Sequence, residues 1–153
     1  MKILIATDGT KQGEAAVAAL SSLKLTASDD IKIISVVDMA VPSTIDVYGG
    51  YLPDTTELEK ASRENANRIL DSAMTAAKAV APENDLNVVG EVLYGSPESR
   101  IVEAAEKMPA DLIIVGSHGY NRWERLLLGS VSDSVVHHAP CSVLIVRGRD
   151  AKA

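Results

Sequence analysis

Apolar residues fall into two alternating periods along this chain. Lys2–Asp8 (KILIATD) is a short, nearly continuous apolar run closed by Asp8-Gly9, and Ala15, Ala16, Ala19, Leu20 and Leu23 then recur at helical spacing through Thr10–Leu23. This predicts a strand followed by a helix, and the pair repeats. Ile31–Asp38 (IKIISVVD) reads as a second strand. Thr56–Val80 places Leu58, Ala61, Ala66, Ile69, Ala73, Ala77 and Val80 on one helical face, with Pro82 as a stop. Asn87–Tyr94 is the third strand, and Pro97–Lys107 the third helix, with its proline in the first turn. Asp111–Val115 and Ser142–Arg147 are strands four and five, separated by a short helix over Ser130–His138 that Pro140 ends. Five strands alternating with four helices imply right-handed crossovers and one parallel sheet covered on both faces. Strands one and four are apolar almost throughout, as burial on both faces demands.

Met39–Thr55 (MAVPSTIDVYGGYLPDT) breaks this regularity. It has no usable period and is longer than most connections in a compact domain, so it reads as a lid or a mobile loop. No repeat, low-complexity tract or linker divides residues 1–153, which are expected to form a single domain with one core.

Composition narrows the function. With 46% hydrophobic residues, 3% aromatics and no Phe, the core must be Ala, Val, Ile and Leu. A net charge of −6 argues against nucleic acid or an anionic membrane surface, which attract clustered Lys and Arg, but does not oppose a phosphate held by backbone N–H groups. One cysteine, Cys141, precludes an internal disulfide, and no Cys/His spacing suggests a metal site. The start of the chain lacks the apolar stretch of a signal peptide, and no segment approaches the ~20 apolar residues of a membrane span. A cytoplasmic protein is expected.

The candidate chemistry lies after strand four, in GSHGYNRWERLLLGS at residues 116–130. Glycines interrupt regular structure at some cost, so glycines at a strand exit mark a sharp turn or a close approach. In open α/β sheets ligands bind beyond the carboxyl ends of the strands, where the strand order reverses. Asp8, Val36, Val37, Asp38 and Gly116 all leave strands at that edge. Gly129-Ser130 opens a helix whose first N–H groups favour an anion, so a phosphate chain fits between Gly116 and Ser130. Neither a GxxxxGK[ST] loop nor a GxGxxG after the first strand is present, leaving G-x2-G-x9-G-S as the motif.

Gly116, Gly119, Gly129 and Ser130 match the nucleotide-binding pattern of the universal stress protein family, which this chain resembles over its whole length, including ATDG at the end of strand one and HAPCSVLIVR at residues 138–147. The resemblance implies an adenine nucleotide alpha hydrolase-like sheet of order 3-2-1-4-5 and membership of the ATP-binding branch. Asp8 and Val36 would then lie near ribose and adenine, and Gly116, Gly119, Gly129 and Ser130 near ribose and phosphates, with ATP bound, together with Mg2+. It also points to a homodimer through Ser142–Arg147, which as the last strand is expected at an exposed sheet edge.

Simpler roles stand beside these. Gly116 and Gly119 serve a tight turn equally well, Asp8 suits a helix cap, and Ser130 with Asp133 fits a capping box. His118, Arg122 and Arg125 read as solvated loop residues, Trp123 as packing for the loop, His137 and His138 as helix-end groups, and Cys141 as a small core residue. Hydrolysis of ATP requires a positioned water and charge neutralisation at the phosphoryl group, for which no motif is visible. The expected function is a nucleotide-dependent regulatory module in stress response, with at most slow hydrolysis and a protein partner that the sequence does not identify. The rivals are a true ATP-hydrolysing enzyme and a scaffold dimer with a structural nucleotide.

Overall fold

A computed structural model describes residues 1–38, 56–80, 82, 85–117 and 128–148. In chain order the elements are β1 (Lys2–Ala6), α1 (Lys11–Ala18) continued by a 3-10 turn (Ala19–Ser22), β2 (Asp30–Val37), α2 (Thr56–Val80), β3 (Asn87–Tyr94), α3 (Pro97–Lys107), β4 (Leu112–Gly116), α4 (Ser130–His138) and β5 (Ser142–Val146). Every pairing is parallel and the strand order is β3-β2-β1-β4-β5, the expected topology. The segment Met39–Thr55 lies outside the described residues.

Alternation along the central strands divides the core in two. Ile3 and Ile5 of β1 point to one face with Ile31, Ile33 and Ile114, where α1, its 3-10 turn and α2 cover them with Val17, Leu20, Leu70 and Ala77. Leu4, Ile34, Ile113 and Val115 point to the other face, under Ile101, Ala104 and Ala105 of α3 and Val135 of α4. Small alanines on the helices let the backbone approach the sheet closely, and the β-branched strand residues fill the remaining space.

The first helix is shorter than its apolar spacing predicts. Ser21 Oγ donates to the Ala18 carbonyl at 2.8 Å, a local bond that competes with helix continuation as the chain tightens into the 3-10 turn.

The amino edge of the sheet is closed by charge. Asp29, buried, accepts from the Met1 ammonium at 2.6 Å, the Thr26 N–H at 2.7 Å and the Thr26 hydroxyl at 3.1 Å. The ammonium bond first, and then the Thr26 N–H, hold the Asp29 carboxyl below its usual range. A depressed folded-state pKa contributes stability that is present above the ordinary Asp value of about 3.9 and lost as pH falls through the lower folded value. Asp29→Asn is therefore expected to lower the melting temperature at pH 7 and to show a shallower loss than the wild type between neutral and acid pH. Parallel melting curves for the two proteins across that range would contradict this assignment.

Candidate functional site

The strand order reverses at β1, which is hydrogen-bonded to β2 on one side and β4 on the other. Ala6 is opposite both Ile34 and Val115, so the residues leaving β1 emerge between the ends of β2 and β4. Thr7 continues the line, donating its N–H to the Ile34 carbonyl at 3.0 Å. Gly9 then adopts φ of 75°, a left-handed conformation that turns the chain into α1.

Asp8, half-buried, occupies the middle of this turn, and the helix cap is Thr10. The Thr10 hydroxyl accepts from the Gly13 N–H at 3.3 Å and donates to Asp8 Oδ1 at 2.6 Å, while the Thr10 N–H donates to the same oxygen at 3.0 Å. Asp8 thus lies two residues too early to cap α1; it holds the residue that does.

Gly116 ends β4 against the first turn of α1. A side chain there would begin 2.9 Å from the backbone carbon and oxygen of Gln12, so the packing of α1 onto β4 requires a glycine at this position. Gly13 answers from the helix side, where an added Cβ would lie 2.5 Å from Thr7 Oγ1 and 2.9 Å from Asp8 Oδ1. The two glycines let the start of α1 settle between the ends of β1 and β4.

Beyond Gly116, Ser117 is buried and its carbonyl is the hub of the site. It accepts from the Gly129 N–H at 2.8 Å and from the Ser132 hydroxyl at 3.1 Å, and the Ser117 N–H donates to the Val146 carbonyl at 2.9 Å. These bonds bring both ends of the glycine loop together. Gly129 is the cap residue of α4, with φ −64° and ψ 156°, angles open to any amino acid. Its glycine is therefore not required by backbone torsion.

Ser130 is the first residue inside α4 and is exposed. The expected Ser130–Asp133 capping box is not formed, because the cap position with its extended backbone belongs to Gly129. Ser132 supplies the local hydroxyl instead, donating within reach of the Ser117 and Gly129 carbonyls. The first intrahelical bond runs from the Asp133 N–H to the Gly129 carbonyl at 2.9 Å, so the N–H groups of Ser130, Val131 and Ser132 precede the helical ladder.

Val36 lies one residue from the end of β2, opposite Leu93, and its half-buried side chain packs with the α3 and α4 core. Asp38 follows it, exposed at the same edge. Gly119 lies outside the described residues, as do His118, Arg122, Trp123 and Arg125.

His137, His138 and Cys141 have local structural surroundings, in keeping with helix-end and core positions. His137 and His138 each place Nδ1 2.8 Å from a carbonyl one turn earlier, those of Asp133 and Ser134. Cys141 is half-buried, and burial pushes its thiol pKa up, away from the reactive thiolate.

A cleft of about 370 Å³ opens between α1 and α2, where Thr7, Gly9, Glu14, Val17, Arg68 and Ala73 line it. It touches the turn but does not include Gly116, Gly129 or Ser130. Among the described residues, no group of three or more His, Cys, Asp or Glu side chains is placed to hold a metal, and no helix is long and apolar enough to cross a membrane.

The family model described as "Universal stress protein family" matches residues 1–147. The chain belongs to the universal stress protein family. Among relatives, a Staphylococcus aureus (strain USA300) protein assigned by name to the universal stress proteins is 35% identical over 159 residues, covering 99% of this chain and 86% of its own. The universal stress protein UspA from Lactobacillus plantarum is 26% identical and superposes with a TM-score of 0.75 over 96% of this chain and 97% of its own. A universal stress protein solved in complex with cAMP shares the fold at 23% identity, with a TM-score of 0.66 over 97% of this chain and 98% of that one.

Thr10, Gly13, Ser117 and Ser132 were not singled out by the sequence motif, although all four build this universal stress protein's carboxyl edge. Two carried a readable signal. Thr10 three residues before Gly13 fits a cap, and a glycine inside a helix calls for a close neighbour. The roles of Ser117 and Ser132 depend on one carbonyl meeting a helix fifteen residues later, which local spacing does not encode.

Proposed function

We propose that this universal stress protein is a regulatory module that binds ATP with Mg2+ and hydrolyses it slowly at most. The reading is carried by one observation: the Ser117 carbonyl holds Gly129 beside the end of β4, so the unladdered N–H groups at the start of α4 stand near the strand-order reversal where Asp8 emerges. Backbone N–H groups at a helix start suit phosphates, and an ionised carboxylate, which only accepts hydrogen bonds, suits sugar hydroxyls. The cAMP held by a relative of the same fold supports an adenine nucleotide as the class of ligand.

Mg2+ fits this arrangement as a companion of the triphosphate. It commonly keeps several waters and takes one or two carboxylates besides phosphate oxygens, and Asp38, exposed at this edge, would supply one, which leaves Asp8 to the sugar. Bound there, the ion would neutralise phosphate charge. The groups assembled here bind and orient a nucleotide, which favours a module whose occupied state is read by a protein partner.

Calorimetry with ATP, AMP and adenosine, each with Mg2+, tests the reading. ATP is expected to bind more tightly than AMP, and AMP more tightly than adenosine, with phosphate release from ATP much slower than nucleotide exchange. Equal affinities for all three would remove the phosphate role of α4, and rapid turnover would favour the enzyme.

The module is further proposed to be a homodimer through β5, cytoplasmic in location. The support is that among the described residues β5 pairs only with β4 and so forms a sheet edge, with Leu144 on it and Val136 on the adjacent α4 both exposed.

A further inference from the structure

We propose that Thr10 is a positioning residue that fixes the Asp8 carboxylate for the ribose, and thereby sets the preference for ribonucleotides over nucleotides lacking sugar hydroxyls. This rests on the nucleotide reading above and deepens it.

The two oxygens of Asp8 have different surroundings. Oδ1 receives both the Thr10 N–H at 3.0 Å and the Thr10 hydroxyl at 2.6 Å, the latter in the range of a charge-assisted bond. The hydroxyl has one proton, given to Asp8, and its oxygen accepts the Gly13 N–H at 3.3 Å. Gly13 N–H, Thr10 Oγ1–H and Asp8 Oδ1 thus form a directed chain anchored on the first turn of α1. Gly13 permits it, since a Cβ there would start 2.9 Å from Asp8 Oδ1.

Among the described residues no group bonds Oδ2. The carboxylate is therefore held by one oxygen, and the other remains for a ligand. Being an acceptor only, it recognises hydroxyl donors and repels phosphate oxygens. A nucleotide with its phosphates at α4 meets that requirement with its sugar. Without the Thr10 hydroxyl, Asp8 keeps its charge but loses its strongest restraint, and the hydrogen bond to the sugar must then be made at the expense of side-chain ordering.

Thr10 also caps α1, so lost stability alone would not distinguish positioning from capping. The distinguishing quantity is the ratio of affinities for ATP and 2′,3′-dideoxy-ATP, measured by calorimetry on the full chain with Mg2+. In the wild type, ATP is expected to bind roughly 10- to 100-fold more tightly, the size of one or two hydrogen bonds to a charged group. Thr10→Val should bring the ratio to within about threefold by weakening ATP alone, and Thr10→Ser, which keeps the hydroxyl, should preserve it.

Thr10→Asp carries the test if the valine variant does not fold. Asp caps helices as well as Thr but offers Asp8 no proton, so the ratio should again collapse while α1 stays capped. A wild-type ratio retained in the folded Thr10→Val or Thr10→Asp protein overturns this proposal and leaves the nucleotide reading standing. Equal wild-type binding of the two nucleotides also overturns it, whereas no binding of any adenine nucleotide overturns both.

Discussion

Gly116→Ala is expected to lower the melting temperature, whereas Gly129→Val is expected to weaken ATP binding and leave the fold nearly as stable as the wild type. The two glycines belong to one sequence motif, but the structure gives them different surroundings. At Gly116 the added Cβ would fall 2.9 Å from backbone atoms of Gln12, which do not move aside as a flexible side chain would. Overpacking of this kind costs about 1–3 kcal/mol, or roughly 3–10 °C in a protein of this size. Gly90 provides the contrast, since its added Cβ would meet the Met74 sulfur at 2.5 Å, the adaptable part of a long side chain.

Gly129 has φ −64° and ψ 156°, so a valine enters without torsional strain, and a less favourable cap residue costs about 1 kcal/mol or less. Its side chain would stand at the start of α4, where the proposed nucleotide places its phosphates. Losing one or two N–H bonds to a charged oxygen corresponds to roughly 10- to 100-fold in affinity. Calorimetry and thermal melting of both variants check the division of labour. ATP affinity unchanged in Gly129→Val would mean that the phosphates do not approach α4 closely, and an unchanged melting temperature in Gly116→Ala would show that α1 can withdraw from β4 without loss.

Periodicity carried the fold because each element writes its own pattern locally. The apolar runs at β1 and β4, the alternating-face residues of β2 and the long stripe of α2 all report burial against a sheet, and helices between consecutive strands force parallel pairing. Boundaries were less legible where local bonds compete. β1 ends at Ala6 rather than Asp8 because Gly9 turns the chain and Thr10 draws on the Asp8 carboxylate, and α1 gives way to a 3-10 turn at Ala19.

The candidate site was legible only as a set of positions at one edge. Glycine spacing announces that something comes close, but not what comes close: at Gly116 it is Gln12, more than a hundred residues earlier in the chain. The Ser130–Asp133 pair matched a capping pattern, yet that pattern depends on which residue holds the extended cap geometry, and the bond from the Gly129 N–H to the Ser117 carbonyl gives it to Gly129. Long-range hydrogen bonds choose among local alternatives that the sequence leaves equally open.

The same distinction selects the probe for the proposed dimer, where Leu144→Lys should convert a particle of about twice the 16.2 kDa chain mass to one chain. Among the described residues β5 has one strand neighbour, so its outer N–H and C=O groups can pair with a second copy by two-fold symmetry, the commonest oligomer geometry. Val143 and Ile145 pack towards α3 and α4, and Val146 packs towards α1, whereas Leu144 is exposed, with relative accessibility of 36%. A lysine at Val146, or a proline at Ile145, would therefore disturb the core of one chain as well as the edge, confusing dissociation with unfolding. Leu144→Lys removes apolar contact and sets like charges near one another across the two-fold axis, the device by which exposed sheet edges are kept apart. Sedimentation at micromolar concentration, with circular dichroism as the control for folding, gives the answer. A monomeric wild type would end the dimer proposal outright, and a Leu144→Lys protein that stays dimeric would move the contact away from β5.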